Sequence, residues 1–261
     1  MNSEIPKRAN VLGVGVHALN MDSAVAHLED AVLKNQKGYV CVTGVHGVME
    51  SQVDQDFKAI LNSAFLNTPD GMPTVWVGRI QGLEKMGRVY GPDLMLRVCE
   101  VSAKKGYTHF FYGGKEGVAN GLKLNLLSKY PGLKVVGTYC PPFRPLNEAE
   151  EKQLKDEIAR LKPDFFWVGL STPKQERFMR KYLGELDVKI MLGVGAAFDV
   201  HTGNMVDAPD WVKSIGMQWF HRLCQEPKRL WKRYLINNPK FLTRIFFQLT
   251  GLKKYPKNWT R

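Results

Sequence analysis

Over most of its length the chain alternates between short runs of consecutive apolar residues and longer stretches whose apolar positions recur every three or four residues. "NVLGVGVHAL" (10–19) reads as a β-branched strand and "MDSAVAHLEDAVLKN" (21–35) as the helix that follows it. "GYVCVTGV" (38–45) predicts a second buried strand, and "HGVMESQVDQDFKAILNS" (46–63) a second helix. Strands are predicted again at 108–114, 133–139, 164–171 and 189–195, with helices at 116–130, 148–161 and 173–183. Strands that alternate with helices imply an α/β fold with a mainly parallel sheet covered on both faces. Past residue 206 the alternation stops, and the remainder reads as two or three helices broken at Pro227 and Pro239. The expected organisation is an α/β core over 1–206 and a helical appendage over 207–261.

Charge sharpens that division. The formal net charge is +12, and from Arg222 onward eleven lysines and arginines face a single acid, Glu226. Such a tail calls for an anionic partner: phosphate, lipid headgroup or nucleic acid. In "WFHRLCQEPKRLWKRY" the bases are interleaved with Trp219, Phe220, Trp231 and Tyr234, which suits a membrane interface or a nucleic acid. Cys41, Cys99, Cys140 and Cys224 lie far apart with no C-x-x-C pair, which predicts neither a zinc site nor a disulfide framework and favours a reducing compartment. The N-terminus has no apolar signal-peptide segment, and no apolar run approaches the roughly 18–20 residues of a spanning helix. A cytoplasmic location is expected.

In open parallel sheets, ligands bind beyond the carboxyl ends of the strands. Five segments fall at such ends: "TGVHG", "PDGM", "YGGKEG", "LSTPKQER" and "GVGAAFDVHTG". In "NTPDGM", Pro-Asp-Gly is a plain turn by its residues, yet it holds the Asp70 carboxylate where a buried strand ends. "YGGKEG" offers Gly113 and Gly114 as a cradle for an anion, but matches neither a P-loop nor a dinucleotide fingerprint. In "STPKQERF" a buried strand runs into a helix start, setting Lys174 and Gln175 beside the site. The "DQD" of Asp54–Asp56 resembles a metal-holding triplet, but inside a helix its two acids would point about 200° apart. A solvated face is the better reading, and no obligatory metal is expected.

Several blocks together resemble one family. "PDGMPTV", "RVYGPDL", "FFYGGKEGVA", "YPGLKVVGTY", "VGLSTPKQERF", "GVGAAFDVHTG", "APDWV" and "QWFHRLCQEPKRLWKRYL" look like the WecG/TagA/CpsF glycosyltransferases, in that family's order, over roughly residues 10–236. The resemblance implies a Rossmann-like core with a C-terminal appendage that helps close the site and meets the membrane. It also implies an inverting, metal-independent transfer in bacterial envelope polysaccharide synthesis. A sugar (N-acetylmannosamine, N-acetylmannosaminuronate or glucose) would pass from a UDP-sugar to a polyprenyl-diphosphate-linked acceptor at the cytoplasmic membrane face.

Residue by residue, the family's base falls on Asp70, the threonine ending its second strand on Thr43, and the arginine of its R-V-x-G block on Arg88, with Asp93 close behind. The glutamine of the P-K-Q-E block falls on Gln175, and the appendage cations on Arg222, Arg229 and the Lys232/Arg233 pair. One departure stands out: many members read T-x-N after strand two, and this chain reads Thr43-Gly44-Val45, followed by His46. The missing amide bears on sugar specificity; His46 either substitutes for it or is a satisfied loop histidine.

Two other classes fit parts of the sequence. A non-enzymatic basic protein would use the tail on nucleic acid or membrane, but the site-like strand ends lie in the core, so no nucleic-acid partner is expected. A nicotinamide-dependent oxidoreductase would need the three-glycine fingerprint that is absent. The aromatic tail also leaves room for burial between subunits of a homo-oligomer.

Overall fold

The computed structural model describes residues 6–259. The first five residues of the stretch read for a signal segment, and Arg261 of the basic tail, lie outside them. In chain order the elements are β1 (Arg8–Val11), β2 (Val14–His17), α1 (Met21–Leu33), β3 (Gly38–Thr43), α2 (Val45–Glu50), α3 (Gln55–Asn62), β4 (Leu66–Pro69), α4 (Met72–Ile80) and α5 (Gly91–Lys105). They continue with β5 (Thr108–Gly113), α6 (Val118–Lys129), β6 (Lys134–Tyr139), α7 (Glu148–Leu161), β7 (Phe165–Gly169), α8 (Lys174–Tyr182), β8 (Ile190–Gly193) and α9 (Ala197–His201). The C-terminal part holds α10 (Asp210–Ser214), α11 (Gln218–Gln225), α12 (Pro227–Trp231), a π-type turn over Lys232–Ile236, and α13 (Asn237–Leu249).

The main sheet has six strands in the order β4-β3-β8-β7-β5-β6. The pairs β3–β8, β8–β7, β7–β5 and β5–β6 run parallel, giving the expected Rossmann-like α/β architecture. Its central strands are almost wholly apolar, "FFYG", "FFWVG" and "IMLG", because both faces are covered. Phe110 stacks on Phe166 at 5.2 Å and Tyr112 on Tyr139 at 5.6 Å across neighbouring strands. Edge strand β6 is only half-buried. Helix α7 runs over 148–161, as its periodicity predicts; Asn147 and Glu150 close a capping box at its start, and Lys162 ends it in the left-handed region.

Three expectations change. The single strand expected at 10–19 is a hairpin: β1 and β2 pair antiparallel as a separate two-stranded sheet, with Val11 opposite Val14. Leu12 (φ 54°) and Gly13 (φ 83°) form the two-residue turn, held by Asn10 Oδ1 accepting from Gly13 N at 2.8 Å. The helix expected over 46–63 is two helices, because Asp54 is the N-cap of α3 and accepts from Phe57 N at 2.8 Å. The "DQD" triplet is therefore a helix start, with Asp56 in its first turn. Helix α5, which buries Leu94, Met95, Val98 and Cys99 on one face, is an element the sequence reading does not contain.

The chain gathers into two compact units. Unit one is Met1–Met21, Val42–Tyr90 and Asp207–Arg261; unit two is Asp22–Cys41 and Gly91–Val206. Residue 207 is thus a seam, but the segment after it is built into a body with the N-terminal hairpin and 42–90. Within unit one, Gln248 Nε2 donates to Asn10 O at 2.7 Å, and Gln248 Oε1 accepts from Leu12 N at 2.8 Å. Asn10 Nδ2 donates to Tyr255 O at 2.8 Å. Leu230, Tyr234, Phe241 and Ile245 are buried there. Among the described residues no helix is long and apolar enough to cross a membrane.

Candidate active site

In unit one the Pro-Asp-Gly turn is the joint between β4 and α4: Pro69 ends the strand, Gly71 is the N-cap, and Pro73 sits in the first helical turn. The backbone of Asp70 is fixed on both sides of its Cα. Its N–H donates to Thr43 O at 3.2 Å, and its carbonyl accepts from Arg88 Nε at 2.8 Å. The side chain is half-buried, with Oδ2 only 3.3 Å from where a Cβ at position 44 would stand. Glycine at 44 is what lets β3 end this close to the carboxylate. Thr43 is buried, and its Oγ1 is enclosed without a hydrogen-bond partner among the described residues. His46 lies on α2 rather than in a loop, with Nδ1 3.6 Å from Glu50 Oε1.

The same unit brings the appendage arginines into one electrostatic neighbourhood with Asp70. Arg222 sits on α11, Arg229 on α12, and Arg233 in the π-type turn. Burial, together with the charges of Arg222 and Arg229, pulls Arg233 down to about 10, while Asp70 and Tyr234 act in the opposite sense. A guanidinium remains charged at neutral pH, so the direction reflects chiefly the burial of this cation, to which the neighbouring arginines add. Nε of Arg222 and Nε of Arg233 are both enclosed and without hydrogen-bond partners among the described residues. Arg229 is exposed and paired with Glu226, Nε to Oε1 at 2.9 Å. Lys232 is exposed and lies over the Trp231 ring at 5.5 Å, so it is Arg233 of the pair that shares the field of Asp70.

Arg88 does more than hold Asp70. Its second terminal nitrogen donates to Gln218 Oε1 at 2.5 Å, and its guanidinium lies 4.2 Å from the centre of the Tyr90 ring. The Tyr90 hydroxyl donates to Asp207 Oδ1 at 2.9 Å. Asp207 Oδ1 also accepts from Gln218 Nε2 at 3.2 Å, and its Oδ2 from Lys213 Nζ at 3.0 Å. Burial alone would raise the Asp207 carboxyl; Lys213, Tyr90 and the Ala208 N–H outweigh it and hold the group below its usual range. Burial first, then Asp207 and Asp70, push the Tyr90 phenol well above its ordinary value, so it stays a proton donor. Residue-level sequence reasoning does not pick out Tyr90, Asp207, Lys213 or Gln218. The first and last lie inside the blocks "RVYGPDL" and "QWFHRLCQEPKRLWKRYL", and the other two flank "APDWV" on either side.

The remaining candidates belong to unit two. Gly113 (φ 130°) ends β5, and a Cβ there would stand 2.6 Å from Gly169 O. The Gly114 N–H, expected to face an anion, is donated to Gly169 O at 3.1 Å. Gly113 therefore serves the close approach of β5 and β7, while a Cβ at Gly114 would stand 2.9 Å from the Val118 side chain. Gln175 is buried with both ends of its amide engaged: Oε1 accepts from Gly195 N at 3.0 Å and Nε2 donates to Glu176 Oε1 at 3.1 Å. Thr172 Oγ1 donates to the same carboxylate oxygen at 2.7 Å, so Gln175 and Glu176 tie the start of α8 to the loop after β8. Lys174 is exposed with Nζ 4.9 Å from the Phe143 ring centre, and Asp93 lies in the first turn of α5. Among the described residues no group of three or more His, Cys, Asp or Glu side chains is placed to hold a metal ion.

A parallel α/β sheet with a carboxylate at a strand's carboxyl end and arginines in its field is an arrangement suited to group transfer. The family comparison makes that particular. Residues 9–255 match the model of the glycosyl transferase WecG/TagA/CpsF family, and the chain belongs to that family. It is 30% identical over 240 residues to an N-acetylglucosaminyldiphosphoundecaprenol N-acetyl-β-D-mannosaminyltransferase of Bacillus subtilis (strain 168), covering 91% of each chain. It is also 30% identical over 226 residues to the protein of the same description from Bacillus spizizenii (strain ATCC 23059 / NRRL B-14472 / W23), covering 86% of this chain and 85% of that one. Membership in a glycosyltransferase family sets aside the oxidoreductase and the non-enzymatic readings.

Proposed function

We propose that this enzyme transfers a sugar from a UDP-sugar to a polyprenyl-diphosphate-linked glycan, with inversion at the anomeric carbon, in cell-envelope polysaccharide synthesis. The observation that carries the proposal is the convergence of the Asp70 carboxylate with Arg222 and Arg233, whose enclosed Nε groups lack partners. Asp70 takes the proton of the acceptor hydroxyl as that oxygen bonds to the anomeric carbon. The bond from that carbon to the diphosphate oxygen breaks at the same time, and UDP leaves with the electron pair. The arginines meet the charge that grows on the departing diphosphate, a task that preorganised cations perform without a metal. The two Bacillus relatives are described as transferring N-acetylmannosamine to diphosphoundecaprenol-linked N-acetylglucosamine, and that pair is the first to assay here. Val45, where many family members carry asparagine, makes the donor sugar the variable to screen. Mass-spectrometric detection of product from UDP-N-acetylmannosamine, its uronate and UDP-glucose, each with and without EDTA, tests the reading. Full turnover in EDTA is expected; strict dependence on added Mg²⁺ or Mn²⁺ would overturn metal independence.

The appendage is proposed to dock on the cytoplasmic membrane face, where such an acceptor is found. Trp211, Phe220, Trp231, Leu242 and Phe246 are exposed among its lysines and arginines. Truncation at 207 would strip unit one of buried Tyr234, Phe241 and Ile245, so substitution is the sounder test. Leu242→Glu with Phe246→Glu, one turn apart on α13, removes two side chains worth about 1.5–3 kcal/mol each when buried. Co-sedimentation with phosphatidylglycerol vesicles should fall at least tenfold; unchanged binding would assign these side chains another role.

A further inference from the structure

The polar chain that begins at the Asp70 carbonyl does not stop at Arg88. It passes to Gln218 on α11, from Gln218 to Asp207, and there meets Tyr90 and Lys213. Each member is satisfied by the next, and the two bonds of the Gln218 amide leave it one orientation: oxygen toward Arg88, nitrogen toward Asp207. Gln218 stands four residues before Arg222, on the same face of α11. Arg88 is held in turn from three sides, by Asp70 O, by Gln218 Oε1 and by the Tyr90 ring.

We infer that Gln218 and Asp207 are positioning residues, which fix α11, and with it Arg222, to the backbone of Asp70 through Arg88. The inference rests on Asp70 as the base and Arg222 as a diphosphate ligand, and it adds how the two are held in register. Asp207 is the anchor: it collects donors from Tyr90, Lys213, Gln218 and its own neighbour Ala208, and so seats the first two helices of the appendage. Neither residue needs to touch substrate. A network of this kind acts as a unit, because removing one member strands the hydrogen-bonding groups of the next.

The test is a double-mutant cycle with a shape-conserving substitution. Gln218→Met keeps the side chain's length and removes both bonds; Gln218→Glu keeps the acceptor for Arg88 and removes the donor to Asp207. With Gln218→Met, kcat should fall ~10- to 100-fold, the scale of loss when a reacting geometry is displaced by about an ångström. Gln218→Glu should lie between Gln218→Met and the wild type, and UDP affinity by titration calorimetry should stay within about threefold. In an Arg88→Ala background, Gln218→Met should cost little more, since the link it serves is already gone. Wild-type kcat in Gln218→Met, or an undiminished further loss in the Arg88→Ala background, would overturn the inference. Asp70→Asn, assayed alongside, separates the two readings. If it retains turnover the base assignment fails, while the relay is still judged by the coupling between Arg88 and Gln218.

Discussion

Asp70→Asn is expected to lower kcat by about 10²–10⁴-fold, the contribution of a well-placed general base, with little change in UDP affinity. The substitution is clean because what holds residue 70 in place is main chain. Its N–H goes to Thr43 O and its carbonyl receives Arg88, and neither contact involves the carboxylate. Asparagine keeps the shape and the turn between β4 and α4 while losing the ability to accept a proton. Gly44 keeps the space beside Oδ2 open in either case. Thermal unfolding should therefore shift little, and the loss should appear in single-turnover rates as well as at steady state. Wild-type turnover in Asp70→Asn would remove the residue as base.

The second large effect separates two adjacent cations. Arg233→Ala should reduce kcat by about 10²–10³-fold, the range seen when one preorganised stabiliser of transition-state charge is removed. Lys232→Ala should change it by less than about threefold, as an exposed charge outside the site does. In a regular helix, positions three and four beyond Arg229 lie on one face, so spacing alone could not choose between them. The π-type turn over Lys232–Ile236 makes the choice: it places Lys232 over Trp231 in solvent and encloses Arg233 Nε near Arg222 and Asp70. Removing Arg233 also relieves repulsion among like charges, so the variant should fold at least as well as the wild type. A loss of kcat that appears only with a lowered melting temperature would point to packing instead. Equal effects at 232 and 233 would mean that the turn does not discriminate.

What could be read from the sequence, and what could not, follows from how local each signal is. Strands β5, β7 and β8 are legible because a strand buried on both faces must be a continuous apolar run. Helix α7 is legible because its cap, its apolar stripe and its stop all lie within sixteen residues. The hairpin of β1 and β2 is hidden because Leu12 and Gly13 interrupt the apolar alternation without a polar turn residue. The break between α2 and α3 rests on Asp54, whose capping role shows only once Phe57 N is seen to need an acceptor. The Asp70 turn is legible from its position after a strand, and the basic character of the appendage from its run of lysines and arginines. Tyr90, Asp207 and Gln218 are not legible in the sequence for a physical reason. Each is an ordinary polar residue whose meaning depends on a partner tens to more than a hundred positions away. Gly113 and Gly114 look ligand-facing in the sequence, whereas Gly113 packs against the Gly169 backbone and the Gly114 N–H is donated to Gly169 O.

The anchoring of α13 to the N-terminal hairpin bears on how this family can be re-engineered. Leu12 N, Asn10 O and Asn10 Nδ2 are matched to Gln248 and Tyr255. The segment from Asp207 to Tyr255 is therefore tied down at both ends and is not a free tail. A chimera that exchanges only residues after 206 between family members would break three hydrogen bonds at one seam and the Asp207 cluster at the other. A graft that carries residues 6–21 and 42–90 along with the C-terminal segment keeps both seams intact. The exchangeable piece of this enzyme is discontinuous in sequence: its first and last residues travel together.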